Sequence, residues 1–185
     1  MKRIATLAIA ILTAISFNAS SAQTFHVSSI DIPQSNQLTE KQVFHGFGCS
    51  GGNISPQLEW QNPPAGTKSF AITVYDPDAP SGSGWWHWTV VNIPASVKAI
   101  PTGAGDSVKK GLPEGAIQGR NDFGYSGFGG ACPPPDDKPH RYQITVWALS
   151  VDKLPIDSNA SGALVGYMLN SNVIAKTELT ATYGR

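Results

Sequence analysis

The sequence predicts a mainly β fold, one sandwich or barrel with a late helix, and three observations carry that prediction. Several short segments alternate apolar and polar residues at the period of two that a strand requires. The loops between them are dense in glycine and proline, 19 and 14 of the 185 residues. Only one stretch, near the end, shows helical spacing. No internal repeat and no long linker interrupts the pattern, so the chain reads as a single domain.

Taken in order, the chain opens on Lys2 and Arg3, then the apolar run 4-IATLAIAILTAI-15, then the small residues 20-SSA-22. That is a secretory signal peptide over residues 1–22, with cleavage after Ala22. The apolar run is shorter than the ~20 residues of a spanning helix, so no stable membrane insertion is expected. Residues 23–185 form the exported domain, periplasmic or released from the cell. The segment 24–32 reads as an edge strand and 55–60 as a short alternating one. In 69–76, Phe70, Ile72 and Val74 alternate with Ala71, Thr73 and Tyr75, as in a half-buried strand. Segments 86–93 and 140–149 repeat the pattern, and 178–183 closes the chain. The residues 157-DSNAS-161 offer an N-cap for a helix over 162–176. The intervening loop, 101–139, is long enough to imply a function.

Charge and cysteine use bound the partners and the compartment. The chain balances 13 basic against 13 acidic residues, which argues against nucleic acid, a partner that wants a basic face. Its two cysteines, Cys49 and Cys132, lie in the Gly-rich runs 46-GFGCSGG-52 and 127-GFGGACPP-134. In an exported chain a disulfide between them is favoured over two buried free thiols.

Several signatures fail on inspection. Gly46, Gly48 and Gly51 form a G-x-G-x-x-G with no helix pattern after it. Asp76 and Asp78 begin like a calcium loop, but Ser81 and His87 stand where Gly and Glu belong. The run 124-GYSGF-128 gives Ser126 no nucleophile elbow. What remains is a constellation around 75-YDPDAPSGSGWWHWTVVNIP-94. Asp76 and Asp78 end one strand, His87 begins the next, and His140 begins a third with Tyr142 on its face and Arg141 on the other. Were these strands neighbours, the side chains would converge at one end of the sheet. Two imidazoles and a phenol suit an anion. The same residues also admit plainer readings: aspartates as turn residues, tryptophans as core, or His87, His140 and one aspartate as a metal set.

The motifs 76-DPDAP-80, 84-GWWHWTVVN-92, 129-GGACPP-134 and 140-HRY-142, in that order, resemble the phosphatidylethanolamine-binding protein family, also called the Raf kinase inhibitor protein family. The runs 46-GFGCSGGNISPQLEW-60 and 118-QGRNDFGYSGFGGACPP-134 resemble its bacterial branch, and with the leader its periplasmic members. The resemblance implies an antiparallel β-sandwich with Greek-key-like connections, one or two short helices and a small anion pocket at one end. It maps Asp76, Asp78, Pro80 and His87 onto that pocket, with His140 and Tyr142. Backbone from Gly130 through Ala131 and Cys132 to Pro133 forms another wall, and Trp86 flanks the entrance. A tight corner with a cis Ala79–Pro80 bond is expected. The C-terminal helix of eukaryotic members has no counterpart in 178-ELTATYGR-185.

The function that follows is a periplasmic ligand-binding or regulatory protein for a phosphate-like small anion, without cofactor or metal and not an enzyme. Two alternatives stand beside it. One is an inhibitor acting by protein–protein contact on a protease or on host signalling. The other is a hydrolase using His87 and His140 as acid and base.

Overall fold

The computed structural model describes residues 23–108 and 111–185; the leader expected over residues 1–22 lies outside them. Strands β1 (His26–Ser28), β2 (His45–Gly46), β3 (Cys49–Ser50) and β4 (Leu58–Gln61) come first. Strands β5 (Ser69–Asp76), β6 (Trp85–Pro94), β7 (Ala99–Ile100), β8 (Ile117–Gln118) and β9 (His140–Leu149) follow. Helix α1 (Gly162–Asn172) then runs directly into β10 (Val173–Tyr183). A 3-10 turn at Glu40–Gln42 is the second short helix.

Every strand pairing is antiparallel. A five-stranded sheet in the order β10-β9-β5-β6-β8 faces a three-stranded sheet in the order β1-β4-β7, and β2-β3 forms a separate hairpin. After β6 the chain visits the other sheet before β9 returns beside β5, the Greek-key-like crossing expected. The sandwich core gathers Val27, Leu58, Trp60, Phe70, Ile72, Val74, Trp88, Val90, Ile144 and Val146.

The central strands are more deeply buried than their alternation suggests. Phe70, Ile72 and Val74 enter the sandwich core, while Ala71, Val91, Trp147 and Leu149 pack on the opposite face against Val165 and Leu169 of α1. Burial on both faces follows because α1 and the 151–156 segment cover the outer side of the sheet. The small polar residue tolerated there, Thr73, accepts a 3.0 Å hydrogen bond from Trp147 Nε1.

Helix α1 is shorter than its apolar spacing implies. Ser161 caps it, its hydroxyl accepting from Leu164 N at 3.3 Å. At the other end Asn170, Ser171 and Asn172 bond back to the carbonyls of Gly166, Tyr167 and Met168 at 2.9, 3.0 and 2.8 Å. Such back-bonding competes with continuation of the helix, and the β-branched Val173 and Ile174 that follow favour the strand.

Candidate functional site

Strand order brings the constellation together. The end of β5 lies between the start of β6, where Asp76 pairs with Trp85, and the start of β9, where Tyr75 pairs with Gln143. Alternation then selects the faces: Trp85 and His87 share one, as do His140 and Tyr142. Together with Asp76 and Pro80 they line a cavity of about 180 Å³, which Cys132, Pro133 and Pro134 close on the far side. That space is smaller than a typical drug-sized site.

The corner after β5 is organised by Asp76. Its Oδ1 accepts from the backbone N–H groups of Asp78 and Ala79 at 2.8 and 3.1 Å. Ser81 N then donates to Ala79 O at 2.8 Å, and the Ser81 hydroxyl donates to Gly84 O. Aspartate capping makes the turn, and no cis peptide bond occurs among the described residues. The cis Ala79–Pro80 bond expected from the resemblance is therefore corrected to trans.

The two histidines sit in opposite electrostatic environments. His140 Nδ1 donates to Asp76 Oδ2 at 2.7 Å, and its Nε2 lies 3.3 Å from Asp137 Oδ2. Burial opposes charge on His140, but hydrogen bonds to the two carboxylates outweigh it and raise its pKa above the ordinary value. His87 is lowered instead, because burial disfavours the imidazolium more than its neighbours favour it. Its Nδ1 lies 2.8 Å from Gly129 O and 3.1 Å from Gly130 O. Tyr142 packs beside it, ring centroids 5.1 Å apart, and burial pushes its phenol up. His87 Nε2, the Tyr142 hydroxyl and Trp85 Nε1 are buried and have no hydrogen-bond partner.

Not every expected residue reaches the cavity. Asp78 turns outward, where Arg141 Nε and Nη2 grip its carboxylate at 2.8 Å each and Arg141 N adds a third bond at 2.9 Å. That guanidinium holds the Asp78 carboxyl far below the usual carboxylate range. Trp86 is replaced at the cavity by Trp85, its neighbour on the pocket-facing side of β6. Trp86 instead lies against α1, so closely that a Cβ on Gly162 would come within 2.1 Å of its Cγ. Gly130 and Ala131 contribute backbone behind the wall. Their N–H groups are spent on Asn53 Oδ1 at 2.7 Å and Gln42 O at 3.0 Å.

Other residues complete the mouth without having been singled out in the sequence. Phe47 is 69% exposed at the tip of the β2–β3 hairpin and lines the cavity with Phe123. Phe44 and Phe123 stack at 3.9 Å, with Phe47 at 5.8 and 5.6 Å from them. The φ of +52° at Phe47 is unusual for an aromatic residue. Cys49 and Cys132 are bridged, Cα atoms 6.0 Å apart, which ties this hairpin to the pocket wall. Arg185 adds a second tie, donating from Nε to Pro133 O at 2.6 Å and from Nη1 to Gly48 O at 2.9 Å. The shared face of Trp85 and His87 on β6 is the signal that could have found Trp85; Phe47, Phe123 and Asp137 lie in loops that carry no such signal. Among the described residues, no group of three His, Cys, Asp or Glu side chains is arranged to hold a metal ion, and no helix is long and apolar enough to cross a membrane.

Comparison with known proteins agrees with this architecture. The UPF0098 protein YbcL of Escherichia coli K12 is 63% identical over 173 residues, covering 94% of each chain. The UPF0098 protein YbhB of the same organism is 46% identical over 155 residues, covering 84% of this chain and 97% of that one. The crystal structure of E. coli YbcL, described as a new member of the mammalian PEBP family, superposes with a TM-score of 0.85 at 64% identity, covering 87% of this chain and 98% of that one. A Chlamydia trachomatis homologue, CT736, superposes at 0.70 with 28% identity, covering 87% and 97%. The family profile of phosphatidylethanolamine-binding protein matches residues 28–184, the whole sandwich with its pocket, and the chain belongs to that family.

Proposed function

We propose that this chain is an exported binding protein whose pocket takes a small anion, a phosphate or a phosphate-bearing head group. One observation carries the reading: His87 and Tyr142 line the cavity, and His87 Nε2 and the Tyr142 hydroxyl are buried without partners. A buried polar atom left unpaired costs about 1–3 kcal/mol, and native folds seldom retain several together without use. A bound oxyanion supplies the missing partners. His140, whose hydrogen bonds to Asp76 and Asp137 raise its pKa and so favour its charged form, lines the same cavity.

Binding rather than turnover is supported by the hydroxyls. Ser81 Oγ and Ser126 Oγ each donate to a backbone carbonyl, of Gly84 and Gln118, so neither is held by a histidine as a nucleophile would be. Export is supported by the basic and apolar character of residues 1–22 and by the disulfide. Calorimetric titration with inorganic phosphate and phosphoethanolamine tests the reading. Saturable heat is expected that weakens roughly tenfold in Tyr142→Phe, the loss of about one hydrogen bond to a charged group. No binding of either compound refutes it.

A further inference from the structure

Resting on the anion reading of the pocket, we infer that His87 meets the ligand as a hydrogen-bond acceptor, so that the site selects an oxyanion bearing its own acidic proton. The class is a phosphomonoester in its monoanionic form. The argument begins with a tautomer. Nδ1 of His87 faces two carbonyl oxygens, Gly129 O at 2.8 Å and Gly130 O at 3.1 Å. Neither can donate, so Nδ1 carries the hydrogen. In a neutral ring Nε2 then holds a lone pair, and Nε2 is the nitrogen left unpartnered.

The ring's surroundings disfavour its charged form. His87 is 3% exposed. The carboxylates that act on it are Asp76 at the end of β5 and Asp122 in the 101–139 loop; both favour the imidazolium, and burial outweighs them. From β9, His140 and Tyr142 line the same cavity. Hydrogen bonds to Asp76 and Asp137 raise the pKa of His140, while burial raises that of Tyr142 and keeps its phenol able to donate. The unpaired groups of the pocket residues are thus one acceptor, His87 Nε2, and two donors, the Tyr142 phenol and Trp85 Nε1. A phosphomonoester monoanion answers both kinds, its P–OH donating to Nε2 and a P–O⁻ accepting from Tyr142. A sulfate ester offers only acceptors. So does a phosphodiester, which ranks the diester lipid of the family's name below a simple monoester.

The test uses the wild-type protein and three probes of equal charge. At pH 5.5 methyl phosphate is mainly a monoanion with one acidic hydrogen, since the second ionisation of a phosphomonoester lies near pH 6. Methyl sulfate and dimethyl phosphate are monoanions with none. Calorimetry is expected to show methyl phosphate binding about tenfold or more tightly than either, as one acceptor facing a lone pair costs at least about that factor. In ¹⁵N spectra of the histidine rings, Nε2 of His87 keeps its unprotonated resonance in the complex. Equal affinities, or conversion of that resonance to an imidazolium on binding, overturn the inference and leave the anion reading standing. Binding of none of the three removes the anion reading and the inference together.

Discussion

Replacing Tyr142 by Phe separates a structural role for the phenol from a binding role, because the two predict opposite changes in stability. The side chain is 1% exposed, and its hydroxyl has no partner in the ligand-free protein. An unpaired buried hydroxyl costs about 1–3 kcal/mol, and its removal leaves a ring of nearly the same shape. The variant should therefore be more stable than the wild type by about 1 kcal/mol in anion-free buffer, a rise of about 2–4 °C in Tm for a domain of this size. With phosphate the order reverses. A ligand at 100 times its wild-type Kd stabilises the wild type by about 2.7 kcal/mol, and a variant that binds tenfold more weakly receives about 1.4 kcal/mol, so the order turns by a few tenths of a kcal/mol. Urea unfolding with and without phosphate measures both arms. A Tyr142→Phe variant that is less stable than wild type without phosphate would show that the hydroxyl already has a structural partner, and the argument for an anion would lose its foundation.

Three further outcomes follow from named contacts. The Cys49–Cys132 bridge closes a separation of 83 residues; in the chain-entropy account its loss costs about 4.5 kcal/mol, so a Cys49→Ser/Cys132→Ser double variant should unfold at markedly lower urea, and a small change would contradict this. Gly162→Ala, which in an open helix gains up to about 1 kcal/mol, should instead destabilise by about 1–3 kcal/mol, because its Cβ meets Trp86 Cγ at 2.1 Å; thermal melting decides the sign. Asp78, whose pKa is depressed by hydrogen bonds from Arg141, contributes stability that is present above the ordinary carboxylate value and is lost as pH falls toward its folded value. Unfolding followed from pH 5 down to about 2 should accordingly show a steeper loss in the wild type than in Asp78→Asn, and parallel curves would dismiss the ion pair as a contributor.

Much of the site was legible in the residues themselves. The runs 69–76, 86–93 and 140–149 alternate strongly enough to mark β5, β6 and β9, and they carry Asp76, His87, His140 and Tyr142 at their ends. The same alternation separates Tyr142 from Arg141. Applied to 85-WWH-87 it places Trp85, not Trp86, beside His87; the resemblance alone pointed to the wrong indole. The last turn of α1 was misjudged because apolar spacing persists past Asn172, whereas Asn and Ser back-bonding and the pairing of β10 with β9 are what end the helix.

Periodicity and turn chemistry are local properties, set within a few residues, so the sequence by itself determined that the segments around 69–76, 86–93 and 140–149 become strands and which of their side chains share a face. Pairing, burial and hydrogen bonding across the fold depend on residues far apart in the chain, and only the tertiary structure decided those. It set β9 beside β5, swung Phe47 and Phe123 from loops to the cavity, and placed Asp137 against the ring of His140. It also gave Asp78 to Arg141, 63 residues on, and His87 Nδ1 to carbonyls 42 and 43 residues away. The opposite pKa shifts of the two histidines follow from such placement, because burial disfavours charge on both and only His140 has two carboxylates bonded to its ring, Asp76 from 64 residues away and the nearby Asp137.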